Sequence, residues 1–255
     1  MTALIEIVIA KFFLMSICFN GLIQGYNFNP APSSIVEIPV IDLNFYMMSR
    51  TESDPGTVFK IKENVAFLNQ EFEDIVKFEV KDVSNNQGHA LLPDLHDAYF
   101  GDQEFTVDSL VEDFERKGSV NVYIFDTYML ADIEFELMGF TPILKSDFEA
   151  YESVAPSLDR IFLSYSSLDK QNTLVHEMGH FLGLDHPWEM STIDKDQMGL
   201  GTAKKIESNH MAYGAEVSSF TEEQLKSMHD FALNYRSYLI NKSIYQFEDL
   251  LVNVK

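Results

Sequence analysis

The chain has 255 residues, 46% hydrophobic and 23% charged, with 40 Asp and Glu against 18 Lys and Arg, a formal charge of −22. That length and composition can bury a large core and exclude wholesale disorder. The acidity, with no basic stripe, argues against nucleic acid or an anionic membrane surface as a partner. It fits solubility in a salty or extracellular setting, calcium binding, or a preference for basic substrates. The one cysteine, Cys18, allows no disulfide within the chain and no zinc–thiolate site.

Residues 3–23 are mostly apolar, and Lys11 followed by residues 12–23 has the form of a secretory signal core, shorter than the ~20 residues of a bilayer span. Cleavage near Gly25 makes residues 1–25 a signal peptide and 26–34 a Pro/Ser/Asn linker. The mature protein is then secreted, periplasmic or held at the cell surface, with no stable membrane insertion. An uncleaved anchor and a buried N-terminal helix are the alternatives. Ile17 stands where a lipoprotein signal before Cys18 would need a small residue.

Residues 35–48 alternate and are rich in branched and aromatic side chains, which predicts a strand. A turn at 53–56 leads to an amphipathic helix over 57–75, with Val58, Ile61, Val65, Leu68 and Phe72 on one face. A second strand follows at 76–83, then a loop at 84–105 holding His89 and His96, neither in ligand spacing. A short helix is expected over 106–117, capped by Thr106, and a central strand over 119–125. Residues 137–144 contain Pro142 and suit a sheet edge. A strand at 160–165 precedes the most informative stretch, residues 173–186. The order of elements implies an α+β fold with a twisted mixed sheet and helices packed on it.

Residues 173–186 place His176, Glu177, His180, Gly183 and His186 in the pattern H-E-x-x-H-x-x-G-x-x-H. On a helix, His176 and His180 leave the same face, about 6 Å apart along the axis, so two Nε2 atoms can converge on one ion. Gly183 can take the left-handed conformation that ends a helix and turns the chain back. That turn brings His186 in as a third ligand. Three neutral nitrogens leave a tetrahedral zinc one open position, and Glu177 is placed as a general base, not as a ligand. Residues 187–208 are polar and are expected to form a solvated loop. Their carboxylates, Glu189, Asp194, Asp196 and Glu207, could bind calcium but match no loop motif. Thr221 and Gln224 form a capping box for a helix through about residue 234. Residues 235–255 are expected to continue helically.

The histidine pattern followed by Asn209, Met211, Tyr213, Phe220, Thr221, Gln224 and Met228 resembles the metzincin zinc metallopeptidases, the pappalysin (cytophagalysin-like) family in particular. Leu68-Asn69-x-x-Phe72 is similar to that family's first long helix. The resemblance is specific at 173–228 and looser from 35. It implies a single catalytic domain over 35–255, with a five-stranded mixed sheet and active-site helix in an upper subdomain (35–183). A smaller, mostly irregular or helical lower subdomain (184–255) completes it. The implied activity is endopeptidase cleavage of protein or peptide substrates. Met211 would be the apolar floor beneath the histidines, and Tyr213 a resting zinc ligand or an oxyanion donor. His210 is expected to pack in the turn, and Glu216 to favour a basic residue after the cut. The family's usual cysteines, and its Asp-Thr-Pro-like segment before the methionine, are missing here. The competing readings are a secreted, non-catalytic zinc-binding or adhesion protein and a non-peptidase zinc hydrolase.

Overall fold

A computed structural model describes residues 35–48, 55–73, 75–85, 114–125, 138–142, 159–213 and 218–247. Residues 37–244 form one compact unit. The expected signal peptide and linker, His89, His96, most of the expected helix at 106–117, and Glu216 lie outside the described residues.

Five strands run in the order β2-β1-β3-β5-β4: β1 (Ile35–Met47), β2 (Lys77–Asn85), β3 (Val120–Phe125), β4 (Gly139–Phe140) and β5 (Arg160–Ser164). The first four in that order are parallel, and β4 lies antiparallel to β5 at the end of the series, so the sheet is mixed and Pro142 follows its terminal strand. Every residue of β3 and β5 is buried, as expected for strands covered on both faces.

The twofold alternation of side chains divides these strands into two faces. Leu43, Phe45, Met47, Val122, Ile124, Ile161 and Leu163 join the larger core, which also holds the inward faces of the helices. Tyr46, Tyr123, Phe162 and Phe140 form a row on the opposite face. Their registers coincide across four strands, so neighbouring rings stack at centroid distances of 4.9, 5.5 and 4.6 Å. The last ring anchors the two-residue strand β4, which otherwise has little backbone pairing to hold it.

Helix α1 (Pro55–Glu71) begins on a proline, whose missing N–H costs nothing in the first turn. It buries Ile61, Val65 and Leu68 against the sheet. In its last turn, Asn69 braces the start of β2, its amide donating to the Phe78 carbonyl at 2.9 Å and accepting from the Phe78 N–H at 2.8 Å.

Three expectations need correction. Residues 187–208 are not simply a loop: they contain α3 (Thr192–Gln197) and α4 (Ala203–Glu207). Ser191 and Asp194 make a reciprocal capping box for α3, and the Thr202 hydroxyl accepts the Lys205 N–H to start α4. These caps are local signals that the polarity of the segment obscures. Residues 114–117, expected as the end of a helix, are turn and irregular backbone. Finally, of residues 235–255, expected to continue helically, the described residues 236–247 do not. Helix α5 (Glu222–Tyr235) stops, a short 3-10 turn follows (Ser237–Leu239), and β6 (Ile240–Phe247) pairs with β1 as a sixth strand. The stop is made by Arg236. Its buried guanidinium donates to Asp159 at 2.9 Å and lies 4.2 Å over the Phe181 ring, while Tyr238 donates to the same carboxylate at 2.6 Å. A buried charge is stable only when partnered, so satisfying Arg236 outweighs extending the helix.

Candidate metal centre

Helix α2 (Asn172–Phe181) carries the first two histidines and runs from the turn after β5, so the sheet sets its direction. Its C-terminus is a Schellman motif: the Gly183 N–H donates to the His180 carbonyl and the Leu184 N–H to the Gly179 carbonyl, both at 2.9 Å. Gly183 has φ +89°, and any Cβ there would meet the Phe231 ring at 2.6 Å. Glycine is therefore required twice, by conformation and by packing.

The turn brings His186 back to the other two rings. The Nε2 atoms of His176, His180 and His186 stand 3.2, 3.0 and 3.3 Å apart. Among the described residues they form the only convergent group of three or more His, Cys, Asp or Glu donors. Ligands about 2.0–2.1 Å from a tetrahedral zinc lie about 3.3 Å from one another, so the spacing fits.

The other ring nitrogens determine the tautomers. Nδ1 of His176 faces the His210 carbonyl at 2.7 Å, Nδ1 of His180 faces the Leu184 carbonyl at 2.7 Å, and Nδ1 of His186 faces Glu189 Oε2 at 3.1 Å. These oxygens only accept, so in each neutral ring Nδ1 carries the proton and Nε2 keeps its lone pair. Burial pushes His176 down to about 4 and His180 to about 3, keeping both neutral. Three inward lone pairs cannot hydrogen-bond to one another. A cation is what the arrangement accommodates, and zinc suits an all-imidazole donor set.

Glu177 is buried and does not join the convergent nitrogens. Its Oε2 accepts from the Thr141 hydroxyl at 2.9 Å. Burial pushes its carboxyl up to about 8, against the opposing effect of that bond.

The residues at 209–228 that carried the resemblance interlock. Asn209 and Gln224 exchange amide hydrogen bonds at 2.7 and 3.1 Å, both side chains buried. Gln224 Oε1 also accepts the Thr221 N–H at 3.0 Å, and Asn209 Oδ1 accepts the Met211 N–H at 3.1 Å. The turn is thus fastened to the cap of α5. Met211 is fully buried beneath the metal helix, its thioether occupying the space that a side chain at Gly179 would need. His210 is buried too, with its ring on Glu71 at 2.9 Å, which ties the turn to the end of α1. As expected, it packs and does not join the metal cluster.

Tyr213 is exposed beside the cluster, its ring centroid 5.6 Å from His176 and 4.9 Å from His186. Sequence reasoning overlooked Trp188, the chain's single tryptophan, which stacks on His186 at 4.3 Å and meets Tyr213 at 4.8 Å. Its position two residues after the third histidine was the available signal. Thr141 was also missed, and no local pattern marked it. Calcium finds no support: Glu189 faces His186, Asp194 caps α3, and neither joins a second convergent donor group among the described residues.

No protein-family model matches the chain, and no curated protein matches it. Among solved structures it is similar to archaemetzincin from Methanopyrus kandleri, at 10% identity and a TM-score of 0.42, over 76% of this chain and 96% of that one. That likeness is distant, and the character of the site rests on its own geometry: three imidazoles converge on a position that fits zinc.

Proposed function

We propose that the chain is a zinc-dependent endopeptidase of the metzincin type, resembling the pappalysins in motif. The observation that carries this is the set of three inward Nε2 lone pairs, each fixed by an acceptor on Nδ1, with Glu177 next in sequence to the first. His176, His180 and His186 would hold the metal. Zinc bound there supplies Lewis-acid activation of water and of the scissile carbonyl. Glu177 takes a proton from the attacking water as its oxygen bonds to the carbonyl carbon. It then delivers that proton to the leaving nitrogen as the C–N bond breaks. Positive charge held by the three imidazoles favours the ionised carboxylate that this first transfer needs, against the effect of burial.

An extended substrate pairs with β4, which ends the β2-β1-β3-β5-β4 series, through backbone hydrogen bonds. Tyr213 is placed to ligate the resting metal or to donate to the oxyanion. The apolar run at 12–23 supports an extracellular site of action. Among the described residues no helix is long and apolar enough to cross a membrane.

The test is to purify the chain, measure zinc stoichiometry, and map cleavage of a mixed peptide pool by mass spectrometry. Glu177→Ala should keep one zinc and lose peptidase activity. Undiminished turnover in that variant removes the mechanism. Stoichiometric zinc without turnover in the wild type favours the non-catalytic binding protein.

A further inference from the structure

Thr141 lies directly after β4, 36 residues before Glu177, and is buried together with it. Its hydroxyl oxygen is 2.9 Å from Glu177 Oε2 and 3.0 Å from the Glu177 backbone carbonyl. A hydroxyl has one proton to give, and the shorter of the two contacts is to the carboxyl oxygen. Two neighbours fix where that hydroxyl sits. Phe140 stacks on Phe162 at 4.6 Å and 13°, holding β4 against β5. Pro142 restricts Thr141 to extended backbone.

We infer that Thr141 is a positioning residue: it holds the Glu177 carboxylate and links the substrate-pairing edge strand to the proton-carrying group. The inference rests on the endopeptidase reading for its consequence and on the contact itself for its geometry. A carboxylate on a long side chain samples several rotamers unless something fixes it, and proton transfer needs it within hydrogen-bond reach of the attacking water. Among the described residues, Thr141 is the side chain that hydrogen-bonds to the Glu177 carboxylate. Because Thr141 sits on the strand end that substrate would pair with, docking of substrate also firms the contact.

The experiment compares Thr141→Val, which keeps shape and removes the hydroxyl, with Thr141→Ser, which keeps the hydroxyl. Thr141→Val should lower kcat about 10- to 100-fold, with KM within twofold and one zinc retained, and Thr141→Ser should keep most of the wild-type kcat. A second readout uses metal-free protein with 13C-labelled glutamate carboxyls, the Glu177 resonance being assigned by its absence in Glu177→Gln. That resonance should move in Thr141→Val and stay in Thr141→Ser. Wild-type kcat in Thr141→Val, or an unmoved resonance, overturns the inference. Equal loss of zinc and activity in both variants overturns it too, because Thr141 would then be structural only. An inactive wild type removes the proposed function, and the resonance still decides whether Thr141 holds Glu177.

Discussion

Replacing Gly179 with alanine puts a methyl group where the Met211 thioether lies. The new Cβ would overlap Met211 Sδ and come within 3.3 Å of its Cε and 3.5 Å of Phe220 Cε1. To restore van der Waals contact the sulfur must retreat by about 1 Å, in a fully buried side chain whose backbone N–H is held by Asn209. Overpacking of this kind costs about 1–3 kcal/mol, while glycine to alanine inside a helix returns ~1 kcal/mol, so a net loss of about 0–2 kcal/mol is expected. The shift also reaches the site, since His210, next to Met211, supplies the carbonyl that fixes the His176 tautomer. Zinc affinity should fall by about tenfold, the lower end for disturbing a ligand's supporting bond. Urea unfolding of the metal-free protein and competition titration with a zinc chelator measure the two effects. A double-mutant cycle with Met211→Ala should show the two changes partly cancelling, a coupling of about 1 kcal/mol or more. If Gly179→Ala is more stable than wild type and binds zinc equally well, Met211 does not support the metal helix.

Three further outcomes follow from the site. Glu189→Ala removes the acceptor on His186 Nδ1 and should weaken zinc binding about 10-fold with little change in fold stability, measured by the same chelator competition. The single tryptophan stacks on a ligand, so one equivalent of Cu2+ should quench most of the fluorescence, and removal of the Cu2+ by EDTA should restore it; no quenching at stoichiometric Cu2+ would contradict the Trp188–His186 stack. The pH dependence has a defined sign. His176 and His180 titrate near 4 and 3 when folded and metal-free, below the ordinary 6.5, so between pH 6.5 and 4 the unfolded chain binds more protons. Their contribution to stability is therefore complete above 6.5 and is lost as the pH falls. Glu177, raised to about 8, acts in the opposite direction. The comparison is with a His176→Gln, His180→Gln protein, whose urea midpoint should fall less steeply between pH 6.5 and 5. Parallel pH profiles would refute the burial argument.

The sequence by itself determined what depends on short spacing. His176 and His180 share a helix face because they are four residues apart, Gly183 ends that helix because it alone tolerates φ +89° at low cost, and Thr221 with Gln224 caps α5 because a capping box spans one turn. Met211 and Asn209 were recognisable as a pattern, but why they occur together emerges only from the buried amide pair with Gln224 and the contact with Gly179. Where local signals were weak, inference failed. The 187–208 segment looked like loop although Ser191 and Thr202 cap two helices. Residues 240–247 carry no local signal that sets them apart from the helix before them, while Arg236, drawn to Asp159 77 residues earlier, ends α5 and leaves them free to pair with β1. Only the tertiary structure decided the protonation pattern of the centre. Two of the three acceptors on the ligand rings are backbone carbonyls, which leave no mark in side-chain identity. The same holds for Thr141: its role comes from the strand order and the aromatic row that bring residue 141 to residue 177, and neither is encoded within a few residues of it.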